Sequence, residues 1–198
     1  MSHIFLVRHG ETAWNKQKRY QGKSDVPLSL VGTTQVKALA AQMKHLKLGV
    51  VYSSTLERAG QTARLIAPHR KVHADARINE MDFGDWEGRR ATELFAARDA
   101  AYQRFANGQW VKPPGGESIQ QVEKRVGAFW KDVLTRHPNK NITIVSHVVP
   151  IKTLMLKALG WPRAHMFQLQ LNTASLIVLR RYENSFFQLT AFNDVPDL

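Results

Sequence analysis

Two histidines stand just past short apolar runs: Arg8-His9 after residues 4–7, and His147 after residues 142–145. Runs of this length read as buried strands. Arg58 lies beyond a third run, residues 50–53, near the start of a helical stretch, and Glu80 follows a fourth, residues 72–78. The carboxyl ends of parallel strands open on one crevice. Four strand ends would then bring Arg8, His9, Arg58, Glu80 and His147 to one mouth. These types suit transfer of a phosphoryl group, whose three equatorial oxygens carry spread negative charge. Arg8 and Arg58 supply rigid donor forks for those oxygens. A neutral histidine nitrogen can attack phosphorus. A protonated His147 would add a donor. Glu80, with a raised pKa, could protonate a leaving alkoxide and later activate water.

Each residue alone carries little weight. A histidine near a strand end is more often packed or hydrogen-bonded, Arg58 alone reads as a surface helix residue, and Glu80 alone as a solvated acid. Their joint placement shifts the balance, although it leaves His9 and His147 interchangeable as nucleophile. His3, His45, His69, His73, His137 and His165 have no such company and read as structural. A metal site would want carboxylates beside His9 and His147, whereas arginines there repel a cation. No metal and no organic cofactor is expected.

The elements that must position these groups alternate. Strands are expected at 4–7, 50–53 and 141–145, with a short one within 72–78. Helices are expected after Ser29 (apolar markers Val31, Leu39, Met43 and Leu46), over 56–67 up to Pro68, over 91–105, after Ser118, and over 150–159 up to Gly160. Ser118 with Gln121 has capping-box spacing. Ile119, Val122, Val126, Phe129, Trp130 and Val133 form a packing stripe. Residues 176–182 and 186–192 read as a hairpin around Glu183-Asn184. This order predicts a three-layer α/β/α sandwich with a mostly parallel sheet. Residues 81–117 read as a cap insertion within one domain spanning 1–198.

The 198 residues include no cysteine, which excludes disulfides, thiolate zinc sites and Cys nucleophiles. The net charge of +12 fits either a basic solvated surface or an anionic partner, a phosphorylated small molecule or a nucleic acid. The basic residues are scattered and form no compact basic–aromatic motif, so a nucleic-acid-binding module is the lesser reading. No apolar run has the length of a signal core or membrane span, so a cytoplasmic protein without a membrane partner is expected. P-loop and Gly-x-Ser-x-Gly patterns are absent.

The segment Leu6-Val7-Arg8-His9-Gly10-Glu11-Thr12-Ala13-Trp14-Asn15 resembles the signature of the histidine phosphatase superfamily, also called phosphoglycerate-mutase-like. Further blocks resemble the family in order: Gln21-Gly22-Lys23-Ser24-Asp25-Val26-Pro27-Leu28-Ser29, then Tyr52-Ser53-Ser54-Thr55-Leu56-Glu57-Arg58-Ala59-Gly60-Gln61-Thr62-Ala63. The blocks at 80–88, at 114–118 and at Val145-Ser146-His147 complete the set. The resemblance implies that His9 becomes phosphorylated and that Arg8, Arg58 and His147 hold the phosphoryl group. It makes Glu80 the proton donor and acceptor and places Asn15, Gln21 and Gly22 in the phosphate pocket, with no metal.

One departure stands out. Val148-Val149 replace the family's usual Gly-Gly. The Val148 amide can still donate to phosphate, while the larger side chains narrow the pocket. Met81-Asp82-Phe83-Gly84-Asp85-Trp86-Glu87-Gly88 after Glu80 resembles the phosphatase branch, whose members include α-ribazole phosphatases and broad-specificity enzymes, rather than the phosphoglycerate mutases. The resemblance thus implies hydrolysis of a small phosphorylated substrate, with a mutase as the near alternative and a homodimer left open. Trp86, Phe95, Tyr102, Phe105 and Trp110 in the cap are expected to choose the substrate or, on the plainer reading, to pack within the cap.

Overall fold

In the computed structural model, which describes residues 1–183 and 186–196, strand β1 (Ser2–Arg8) occupies the interior of a six-stranded sheet. Side chains alternate across a strand. Ile4 and Leu6 join one apolar cluster, and Phe5 and Val7 join another on the opposite face. Strands β2 (Val50–Ser53), β3 (Val72–Ala74) and β4 (Ile142–Ser146) follow, then β5 (Leu176–Arg181) and β6 (Phe187–Asp194). The spatial order is β3-β2-β4-β1-β5-β6. The first four are mutually parallel, and β5 and β6 are antiparallel additions at one edge. The expected hairpin pairs β5 with β6; Asn184, half of its expected turn, lies outside the described residues.

Helices α1 (Ala13–Lys16), α2 (Leu30–Met43) and α3 (Glu57–Ile66) come before the cap helices α4 (Ala91–Ala96) and α5 (Ala100–Ala106); α6 (Ile119–Arg136) and α7 (Val148–Leu159) complete the set. Val36, Leu39 and Met43 of α2 and Ala59, Ala63 and Ile66 of α3 cover the Phe5/Val7 face, while α6 and α7 cover the other. This is the expected three-layer α/β arrangement. The α6 stripe is buried as expected, and Ser118 and Gln121 close a capping box at its start.

Three local readings differ. Val31 and Leu46 are exposed, because α2 buries Gly32, Val36, Leu39 and Met43 and ends before Leu46. The short strand expected within 72–78 is present and ends at Ala74. Asp75 then accepts the Arg77 N–H and caps a 3-10 turn over Ala76–Ile78. The 91–105 stretch breaks at Arg98, which has positive φ, and Asp99 restarts it by accepting from the Tyr102 N–H. Helix α7 begins at Val148, with Pro150 in the first turn, where a missing N–H costs no helical bond. Among the described residues no helix is long and apolar enough to cross a membrane.

Candidate active site

The register of β1 on β4 sets the site. Arg8 pairs with Ser146, and the His9 N–H donates to the Ser146 carbonyl. His9 and His147 therefore leave adjacent strands at the same level, with ring centroids 5.0 Å apart. The two rings are not equivalent. His9 Nδ1 lies 2.7 Å from its acceptor, the Gly10 carbonyl, so Nδ1 carries the proton and Nε2 is the free base. His147 Nδ1 accepts from Arg58 Nε at 3.2 Å, and its Nε2–H meets Ser54 Oγ at 2.8 Å. Burial first, and then nearby guanidinium charge, hold both imidazoles well below the usual histidine range. Both are neutral near pH 7. The donor expected of a protonated His147 is thus directed at Ser54 in this state.

Arg58 is completely buried. Nη2 donates to the Gly22 carbonyl and Nη1 to the Ser24 carbonyl, at 2.7 and 2.9 Å. Arg8 Nη1 donates to the Leu171 carbonyl at 2.6 Å. Burial lowers the Arg8 pKa to about 10, with Glu80 opposing, and it stays charged. Among the described residues Arg8 Nε and Gln21 Nε2 are buried with no acceptor. The Gln21 amide is oriented from the other end, since its Oε1 accepts from Thr12 Oγ1 at 2.7 Å. Asn15 Oδ1 likewise accepts the Thr12 N–H, leaving its NH₂ as the free end.

Glu80 sits at the start of α7. Its Oε2 accepts from the Val148 N–H at 3.0 Å; Oε1 accepts from Met81 and Val149 N–H groups at 2.9 and 3.2 Å. These bonds and the arginines favour the anion, but burial outweighs them and the Glu80 pKa is raised. The Val148 amide is accordingly engaged with Glu80.

Arg8, His9, Asn15, Gln21, Glu80 and Val148 line one cavity of about 320 Å³. Arg58, Gly22 and His147 do not line it; they are bonded to one another behind it, Arg58 donating to the Gly22 carbonyl and to His147 Nδ1. Phe105 and Trp110 of the cap reach this cavity, whereas Trp86 and Tyr102 are buried in the apolar cluster they share with α6 and α7, and Phe95 is 49% exposed.

Residues 4–195 match the model of the histidine phosphatase superfamily, branch 1. The chain belongs to that superfamily. It is 35% identical over 191 residues to phosphoserine phosphatase 1 of Hydrogenobacter thermophilus, covering 92% of this chain and 88% of that one. It is 34% identical to a protein of Enterobacter sp. named "Probable phosphoglycerate mutase GpmB", covering 89% and 83%. Among solved structures, the α-ribazole phosphatase of Shigella flexneri superposes with a TM-score of 0.87 at 31% identity, covering 97% and 96%.

In this member of the superfamily several supporting residues carry no chemistry that a sequence pattern would flag. Asn79 Oδ1 accepts from Ser54 Oγ, extending the chain Arg58–His147–Ser54. Arg125 of α6 donates to the carbonyls of Arg77, Asn79 and Glu80 and pairs with Glu117, so it fixes the backbone that presents Glu80. Glu87 accepts from the Lys23 and Ser24 amides and from Ser24 Oγ, which holds the loop whose carbonyls bind Arg58. Glu87 and Glu117 lie inside quoted family blocks, and that was their only signal.

Gly22 is required by this loop's close approach. A Cβ there would come within 2.1 Å of Glu87 Oε1 and 2.5 Å of the Met81 carbonyl. Gly22→Ala should therefore push the loop off Glu87, costing about 1–3 kcal/mol as overpacking does. Urea denaturation would read the loss. Unchanged stability would show that the loop yields freely.

Proposed function

We propose that this chain is a metal-independent phosphomonoesterase working through a phosphohistidine on His9. The observation that carries the reading is one cavity of about 320 Å³ that holds the neutral His9 ring beside Arg8, Asn15, Gln21 and the buried Glu80. A guanidinium and two side-chain amides are donors of the type that phosphoryl oxygens accept from. Arg8 and a neutral His9 suit a dianionic ester, and the Arg58 charge behind them adds to the attraction.

His9 Nε2 attacks phosphorus. The P–O bond to the alcohol breaks, and Glu80, in its acid form, gives its proton to the leaving oxygen. Glu80, now a carboxylate, then takes a proton from water as the water oxygen attacks phosphorus. The P–N bond breaks, releasing inorganic phosphate and restoring neutral His9 and protonated Glu80. His147 lies beside His9, and its bonds to Arg58 and Ser54 hold it neutral behind the nucleophile.

Phosphate release from phenyl phosphate tests this reading. The rate should be unchanged by excess EDTA, since the guanidinium charge of Arg8, with Arg58 behind it, disfavours a cation beside His9. Strong inhibition by the chelator would overturn metal independence. The relative named as a mutase raises a second use of the same intermediate, in which a substrate oxygen rather than water takes the group. In that case 3-phosphoglycerate would isomerise faster than it loses phosphate. The expected outcome is the reverse.

A further inference from the structure

Lys152 has no part in the steps above, yet it lines the same cavity as His9 and Glu80. It follows Val148 by four residues on α7, so both face one side of the helix. Among the described residues its only hydrogen bond runs from Nζ to the Met166 carbonyl at 2.9 Å, and no carboxylate pairs with it. An ammonium carries three donors, and one carbonyl brings no full charge to answer it. The oxygens of Glu80 are already taken by three backbone amides. A mere tether to Met166 would not need a cation, whose partial burial without a counter-charge is costly.

The wall of the cavity is apolar. Trp110 and Phe167 pack with centroids 4.4 Å apart, and Phe105 sits edge-on to both. Phe83 and Met166 extend this surface. Arg19 also reaches the cavity, but its Nε and Nη1 donate to Gln17 Oε1 and the Gly88 carbonyl. Lys152 is the less committed cation.

We propose that Lys152 is a specificity-determining residue that pairs with a second anionic group, of carboxylate type, on the leaving alcohol, whose apolar skeleton lies along Phe105 and Trp110. The proposal rests on the phosphomonoesterase reading. Burial, with Arg8 adding and Glu80 opposing, brings the Lys152 pKa down to about 8. Arg8, His9, Arg19, Tyr20 and Glu80 are the charged or titratable groups sharing its cavity, and burial pushes the Tyr20 hydroxyl up, so it stays neutral in this range. A lysine with a lowered pKa loses its charge as pH rises through that value, so the selectivity should fade above about pH 8.

The test compares kcat/KM for phenyl phosphate with that for 3- and 4-carboxyphenyl phosphate, in the wild type, Lys152→Gln and Lys152→Arg. Taking each ratio relative to the wild type cancels the carboxyl group's effect on the leaving group. Lys152→Gln keeps a donor for Met166. It should lower the carboxylated-to-plain ratio by about 10–100-fold for at least one isomer, the range for a hydrogen bond to a charged group. Lys152→Arg should retain most of the ratio. The wild-type ratio should fall above about pH 8, while that of Lys152→Gln stays flat. Equal, pH-independent ratios in all three proteins would overturn the role of Lys152 and leave the phosphatase reading intact. No hydrolysis of any aryl phosphate by the wild type would instead sink the phosphatase reading and this proposal with it.

Discussion

His9→Ala should lose phosphate release from phenyl phosphate by on the order of 10⁴–10⁶-fold, the scale of removing a covalent nucleophile. The size follows from the lack of a substitute. His147 is 5.0 Å away ring to ring, but its Nδ1 accepts from Arg58 and its Nε2 meets Ser54. It has no free lone pair to offer phosphorus. His9 has one, because the Gly10 carbonyl holds the proton on Nδ1 and burial keeps the ring neutral. Labelling with an alkaline detergent quench gives the independent readout. Wild-type protein given labelled substrate should carry phosphate on a base-stable, acid-labile bond, and His9→Ala should carry none. An unchanged melting temperature in the variant would show that the loss is chemical. If His9→Ala keeps activity within tenfold of wild type, the nucleophile is another group.

Sequence and structure agree most closely where short-range chemistry and register decide the outcome. The apolar run before Arg8 and the run before His147 announce parallel strands, and pairing Arg8 with Ser146 makes two histidines 138 positions apart into neighbours. Spacing alone left the nucleophile open. A single carbonyl contact, Gly10 on His9 against Arg58 on His147, is what separates the two rings, and no sequence period encodes it. The short strand within 72–78 ends at Ala74 because the Asp75 side chain captures a backbone amide and bends the chain. The helix-like stretch at 91–105 misled because Asp99 captures an amide in the same way and divides it. Lys152 was invisible for a different reason. Its role depends on what it lacks in three dimensions, a carboxylate partner, and a lone lysine on an apolar helix carries no pattern. The substitution Val148-Val149 was legible, but its consequence lay in the backbone: Val148 and Val149 give their amides to Glu80.

That bond makes Glu80→Gln the more discriminating test of the two carboxyl roles. General acid–base catalysis contributes about 10²–10⁴-fold, and the variant should lose that much of kcat/KM on an alkyl phosphate, whose alkoxide leaves poorly without a proton. With 4-nitrophenyl phosphate the leaving oxygen needs little help, so the loss in kcat/KM should shrink towards tenfold or less. The parameter kcat should still fall, because hydrolysis of phospho-His9 also needs Glu80, then as base to water, and kcat includes that second step whereas kcat/KM does not. Phosphoenzyme should accordingly build up in the variant with the nitrophenyl ester. The pH dependence carries the sign of the burial effect. A raised pKa keeps Glu80 in its acid form to higher pH than an ordinary carboxyl, so kcat/KM for the alkyl ester should hold through mildly acidic pH and decline as pH climbs past that pKa. The variant should show no such decline. An equal loss of kcat/KM for both esters would mean that Glu80 does not protonate the leaving group and serves instead to hold the N-terminus of α7 through Val148 and Val149.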